Sequence, residues 1–102
     1  MKCSPWQIWL AVVKFEESEE VKSRPVVIIS TKRMIAFSLK MTSQAPRNGD
    51  YPLKKWKQAG LDRPTAVRFQ QKLELSERDL MHQIGSVDLL DRLSIQKILD
   101  NI

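Results

Sequence analysis

The chain has 102 residues, with 17 Lys+Arg against 12 Asp+Glu, one histidine, one cysteine and a formal net charge of +5. That length suits a single domain over residues 1–102 and is too short for two cores, and charges interrupt every apolar run well before the roughly 18–20 residues of a membrane-spanning helix. A lone Cys3 excludes an internal disulfide, no secretory signal is recognisable at the N-terminus, and the expected location is the cytoplasm; the positive balance suits a phosphate-bearing partner.

Residues 7–15 (QIWLAVVKF) are rich in aromatic and β-branched side chains and read as a strand. EESEEVKS then makes a charged connection to residues 26–29 (VVII), a short continuous apolar run suited to a strand buried on both faces. Just before it, Pro25 pushes Arg24 towards extended geometry and gives up its own backbone donor. A permanent cation is thereby fixed at the mouth of a buried strand.

The next run, MIAFSLKMTS, alternates. Ile35, Phe37, Leu39 and Met41 point one way and Ala36, Ser38, Lys40 and Thr42 the other, which predicts a half-buried strand with one wet face. A long polar loop follows, broken by Pro46, Gly49 and Pro52, and carries a basic-aromatic cluster, KKWK at 54–57. After the turn AGLDRPT, AVRFQQKLEL predicts a strand with Val67 and Phe69 on one face, continued by Leu73 and Leu75, and Arg68, Gln70 and Lys72 on the other.

Ser76 with Asp79 three residues on resembles a capping box, Leu80 and Ile84 share a helical face, and Gly85 is placed as a left-handed cap, so a short helix is expected over 76–85. From Asp88 a second helix is expected, since Ile95, Ile98, Leu99 and Ile102 recur at i, i+3, i+4 and i+7. The simplest architecture that buries these faces is mainly β with C-terminal helices: a small, strongly curved sheet closed by a terminal helix.

In this order and at about this spacing, IWLAVVKF, KSRPVVIIS, the strand ending in MTS, AGLDRPTAVRF and IGSVDLLDRLSIQKIL resemble the MazF/PemK family of toxin endoribonucleases over nearly the whole chain. The resemblance implies a small SH3-like β-barrel of the CcdB/MazF type. It implies the toxin of a type II toxin–antitoxin system, a homodimer that cuts single-stranded RNA without a metal or other cofactor, is held inactive by an acidic antitoxin, and binds DNA together with it. The ribose 2′-OH would attack the adjacent phosphorus, leaving a cyclic phosphate and a free 5′-OH. The family's Arg-Pro motif maps onto Arg24, its strand-end Thr onto Thr42 and its later V-R onto Arg68, and these are the expected catalytic residues. A guanidinium suits the phosphoryl oxygens that gain charge in that transition state. Ser43, Lys40 and Gln70 beside them are expected to contact RNA, as are Lys54, Lys55, Trp56 and Lys57, the indole by stacking on a base.

The match departs from the family at two places. Some relatives carry an acid–base Asp where this chain has Gln70, which does not titrate, and a Gly-Asp common before the first strand is replaced by Trp6-Gln7. The general base is therefore unassigned. Taken alone, Arg24 reads as a strand-edge cation paired with the glutamates of residues 16–20, and Thr42 as an ordinary strand residue. His82, expected in mid-helix, is left out of the site, and one His and one Cys offer no metal-ligand spacing. A gyrase poison of the CcdB type and a non-catalytic SH3-like interaction protein are the alternative readings.

Overall fold

The computed structural model describes residues 1–14 and 21–102. Phe15 and residues 16–20, with any pairing of Arg24 to the glutamates there, lie outside the described residues. The elements are β1 (Gln7–Lys14), β2 (Val21–Lys32), β3 (Ile35–Thr42), β4 (Asp50–Pro52), β5 (Ala66–Ser76), a 3-10 turn (Glu77–Asp79), β6 (Leu80–Ser86) and α1 (Leu89–Asp100). The strands form one antiparallel sheet in the order β4-β5-β3-β2-β1-β6. Edge strands β4 and β6 are not paired with each other, so the SH3-like, MazF-type barrel is not closed by hydrogen bonds.

The sheet curls because its ladders are bulged, and a bulge bends a strand and increases its twist. Between β2 and β3 the register slips at Ile28/Ser30. Between β3 and β5 it jumps from Leu39↔Lys72 to Lys40↔Arg68, so that Phe69, Gln70 and Gln71 stand opposite a single step of β3. This jump corrects the simple alternation expected of β5. Val67 and Phe69 enter one core cluster with Ile8, Val27, Leu39, Met41 and Ile95. Leu73 and Leu75 pack in a second cluster, with Trp9, Val13, Val26, Ile28 and Ala36, on the opposite face. The odd number of extra residues reverses which side of the strand is apolar.

Two buried faces also overturn the wet face expected of β3. Ala36, Ser38 and Lys40 are buried along with Leu39 and Met41, because the curled sheet encloses both sides instead of exposing one. The polar loop after β3 contains β4, whose Asp50 pairs in register with Arg68.

The helix expected over 76–85 is not present. The Ser76–Asp79 box does form, with Ser76 N–H donating to Asp79 Oδ2 at 2.9 Å, but it caps only the 3-10 turn. The chain then extends as β6 along β1, with Leu10 opposite His82, which is exposed. Gly85 is no left-handed cap. A Cβ there would lie 1.8 Å from the Ala59 carbonyl oxygen, so glycine is required by the close crossing of two backbones. Gly60, at φ +96°, forms the other side of that crossing, and Ser86 N–H donates to Ala59 O at 3.2 Å.

The terminal helix forms as expected. Asp88 caps α1 by accepting from Leu90 N–H at 3.1 Å. Ile95 is fully buried and Ile98 and Leu99 pack against the first cluster, whereas Ile102 lies beyond the helix and is exposed.

Candidate functional site

A fork in the sheet makes the site. The β2/β3 ladder ends at Val26↔Lys40, while β2 runs on beside β1 to Lys14↔Val21 and β3 runs on beside β5 to Thr42↔Ala66. The two ribbons diverge, and Pro25 sits at the point of parting. Its missing N–H means that the opening leaves no orphan donor there. Arg24, one residue outside the fork and half-buried, reaches the resulting groove and donates from Nη1 to the Ser23 carbonyl at 3.0 Å.

The groove has a volume of about 1070 Å³, beyond the roughly 300–1,000 Å³ of small-molecule pockets. Arg24, Thr42 and Arg68 all line it, as do Lys40, Ser43 and Gln70. Three strands therefore deliver six of the sequence-predicted residues to one place. Among the described residues the lining holds seven lysines and arginines and one carboxylate, Asp62, which is exposed and 3.3 Å from Arg63. Such a concentration of one sign attracts an anionic ligand.

Arg68, on the polar face expected of β5, is nevertheless only 6 % exposed. Its Nε lies 3.5 Å from Asp50 Oδ2, both side chains being buried. Nε and Nη2 have no hydrogen-bond partner among the described residues, although buried polar atoms are nearly always partnered. Asp50 is held in turn by Arg47 N–H, which donates to Oδ2 at 2.9 Å. Directly across the ladder from Arg68, Lys40 is 9 % exposed. Burial first, and then the guanidiniums of Arg68, Arg24 and Arg47, hold its ammonium below the ordinary lysine value of 10.5.

Thr42 continues the same face two residues beyond Lys40. Its Oγ1 accepts from Gln44 N–H at 3.1 Å, which orients the oxygen and leaves the hydroxyl proton to donate to a ligand. Sequence reasoning missed Asp50, Arg47, Gln44 and Arg63. All four lie in stretches whose only local signal was that of a polar loop.

Lys54, Lys55, Trp56 and Lys57 are not among the residues lining the groove. Trp56 packs half-buried against the first core cluster, with Lys57 Nζ 5.6 Å from its ring centre. The backbone N–H groups of Lys54 and Lys55 donate to the two carboxylate oxygens of Asp91, at 3.0 and 2.9 Å, and Tyr51 O–H donates to Oδ1 at 2.7 Å. Asp91, fully buried on α1, thereby ties the helix to β4 and the turn after it. Burial, with the Asp91 carboxylate adding to it against a hydrogen bond from Ser94, raises the Tyr51 phenol above its ordinary value. No three His, Cys, Asp or Glu side chains among the described residues gather where they could hold a metal ion, and no described helix is long and apolar enough to cross a membrane.

A small curled antiparallel sheet with one terminal helix and a cationic groove at a strand fork defines a compact, mainly β protein built to receive an anionic ligand. The chain belongs to the family of PemK-like, MazF-like toxins of type II toxin–antitoxin systems, whose model matches residues 4–102. Membership implies an antitoxin partner. The fold is similar to that of the Mycobacterium tuberculosis toxin MazF-mt6, with a TM-score of 0.74 over 93 % of each chain at 19 % sequence identity. No curated protein is similar enough in sequence to count as a match.

Proposed function

We propose that this toxin is a metal-independent endoribonuclease that cuts single-stranded RNA in the groove between the β1/β2 and β3/β5 ribbons. The observation that carries this reading is the convergence of Arg24, Thr42 and Arg68 from three strands on one cationic groove. Family membership supports it.

The scissile phosphate sits among these three side chains. Attack of the 2′-OH on phosphorus concentrates negative charge on the non-bridging oxygens, and preorganised donors aimed at that charge lower the barrier. Arg68 is suited to this because Asp50 holds its guanidinium on one side while the residue lines the groove. Arg24 supplies a second planar donor set, and the Thr42 hydroxyl a neutral one. Ser43 and Gln70, both exposed at the rim, contact the flanking nucleotides. Lys54 and Lys57, exposed and off the groove, meet RNA only where the strand continues beyond it.

The same groove accepts the acidic tail of the antitoxin, so inhibition is by occlusion. The protein acts in the cytoplasm as one domain, and as a homodimer; Leu89, Leu90 and Leu93, 58–65 % exposed on α1, supply an apolar face for a second copy. Purified protein incubated with mixed-sequence RNA in EDTA tests the reading. Discrete fragments are expected. Intact RNA would favour the gyrase-poison or adaptor alternatives.

A further inference from the structure

On the reading that the groove cuts RNA, we propose that Lys40 is the proton donor to the departing 5′ oxygen. The reaction needs such a group. As the 2′ oxygen forms its bond to phosphorus, its proton passes to solvent water. The P–O5′ bond breaks with its electron pair on O5′, and O5′ must gain a proton to leave as an alcohol. Solvent then reprotonates the donor, and the sum is a 2′,3′-cyclic phosphate and a 5′-OH.

The other groove residues are unsuited to that transfer. Guanidinium groups do not release a proton near neutral pH, a threonine hydroxyl is far too weak an acid, and Gln70 does not titrate. Asp62, the one carboxylate lining the groove among the described residues, is 83 % exposed and lies beside Arg63. Three lysines line the groove, but Lys14 and Lys72 are exposed and only Lys40 is buried.

Lys40 also has the central position. It pairs with Arg68 on β5 and with Val26 on β2, two residues from Arg24, and it lies two residues from Thr42 on the same face of β3. A phosphate held by Arg24, Thr42 and Arg68 therefore lies over the Lys40 ammonium. The charged groups facing it are Arg68 from β5, Arg24 from β2 and Arg47 from the connection before β4, with Asp50 engaged by Arg68. This environment favours release of the proton, as an effective general acid requires.

The test compares two RNA substrates, one with the natural 5′-oxygen at the scissile linkage and one with sulfur in its place. A 5′-thiolate leaves without protonation. Lys40→Met should bind RNA more weakly, having lost one groove cation, and at saturating RNA should cut the oxygen substrate about a hundredfold or more slowly while losing far less on the sulfur substrate. Lys40→Arg, which retains charge but not acidity, should fail to restore cleavage of the oxygen substrate. In the wild-type protein alone, kcat on the oxygen substrate should fall at alkaline pH with a midpoint below the ordinary lysine value, and the sulfur substrate should lack that limb. Wild-type rates for Lys40→Arg, equal losses on both substrates, or identical wild-type pH profiles would overturn the assignment while leaving the nuclease reading intact. A wild-type protein that cuts neither RNA would overturn both.

Discussion

Replacing Asp50 by Asn tests the electrostatic construction of the groove. The Arg68–Asp50 pair is buried, with the two side chains 7 % and 8 % exposed and 3.5 Å apart. Removing one member of such a pair strands the other charge in the interior and costs about 3–5 kcal/mol. Asparagine keeps the shape and one acceptor oxygen, so the lower end, about 3 kcal/mol, is expected. For a domain of this size each kcal/mol moves Tm by roughly 4–8 °C, which gives a fall of roughly 12–24 °C. Thermal unfolding followed by circular dichroism, in a phosphate-free buffer of low ionic strength, measures it. Adding inorganic phosphate should return part of the loss, because an anion that binds only the folded groove stabilises by about 2.7 kcal/mol at a hundredfold excess over its Kd. An Asp50→Asn protein as stable as wild type would refute the claim that Asp50 holds Arg68. A destabilised variant indifferent to phosphate would refute the claim that Arg68 faces an anion site.

Asp91→Asn should lower stability by roughly 1–3 kcal/mol, since the amide turns a donor towards one of three N–H or O–H groups that the carboxylate now accepts from; urea denaturation reads this directly, with RNA binding in native buffer unchanged. Arg24→Ala should reduce cleavage about a hundred- to thousandfold with the fold intact, Arg24→Lys should rescue poorly, and Thr42→Val should lower kcat more than RNA affinity; rates within threefold of wild type would remove either residue from the site. Lys40 has a lowered pKa in the folded state, so the unfolded chain binds more protons between that value and 10.5 and the native state gains stability as pH rises through this window. The stability of wild type relative to Lys40→Met should therefore improve from neutral pH towards 10.5, as judged by denaturation at a series of pH values.

The candidate residues were legible through the family resemblance and not one by one: taken alone, Arg24 beside Pro25 and Thr42 at a strand end read as ordinary strand residues, and the strand pattern only places them, with Arg68, near one end of the sheet. What sequence could not supply was the effect of pairing on that pattern. Leu80 and Ile84 are four apart, a spacing that fits one face of a helix as well as one face of a regular strand, and the bulged ladder with β1 decides for a strand that sends Leu80 to the second cluster and Ile84 to the first. Lys40 looked wet because alternation was read for a sheet with one covered face, whereas the bulge at Phe69, Gln70 and Gln71 curls β5 and encloses both. Asp50 gave no sign of its role. Its value lies in standing opposite Arg68, a relation fixed by the short β4/β5 ladder and invisible along the chain. Nor did the composition of the KKWK stretch show that the backbone N–H groups of Lys54 and Lys55 are committed to Asp91, 37 and 36 residues away.

The chemistry of the cut ends tests the central claim most directly. Wild-type protein, mixed-sequence RNA and EDTA should yield fragments with 2′,3′-cyclic phosphate on one side of each cut and 5′-hydroxyl on the other, and Arg68→Ala protein prepared in parallel should yield none. Uncut RNA with the wild-type protein, or fragments bearing 5′-phosphate, would contradict an attack by the ribose 2′-OH in this groove.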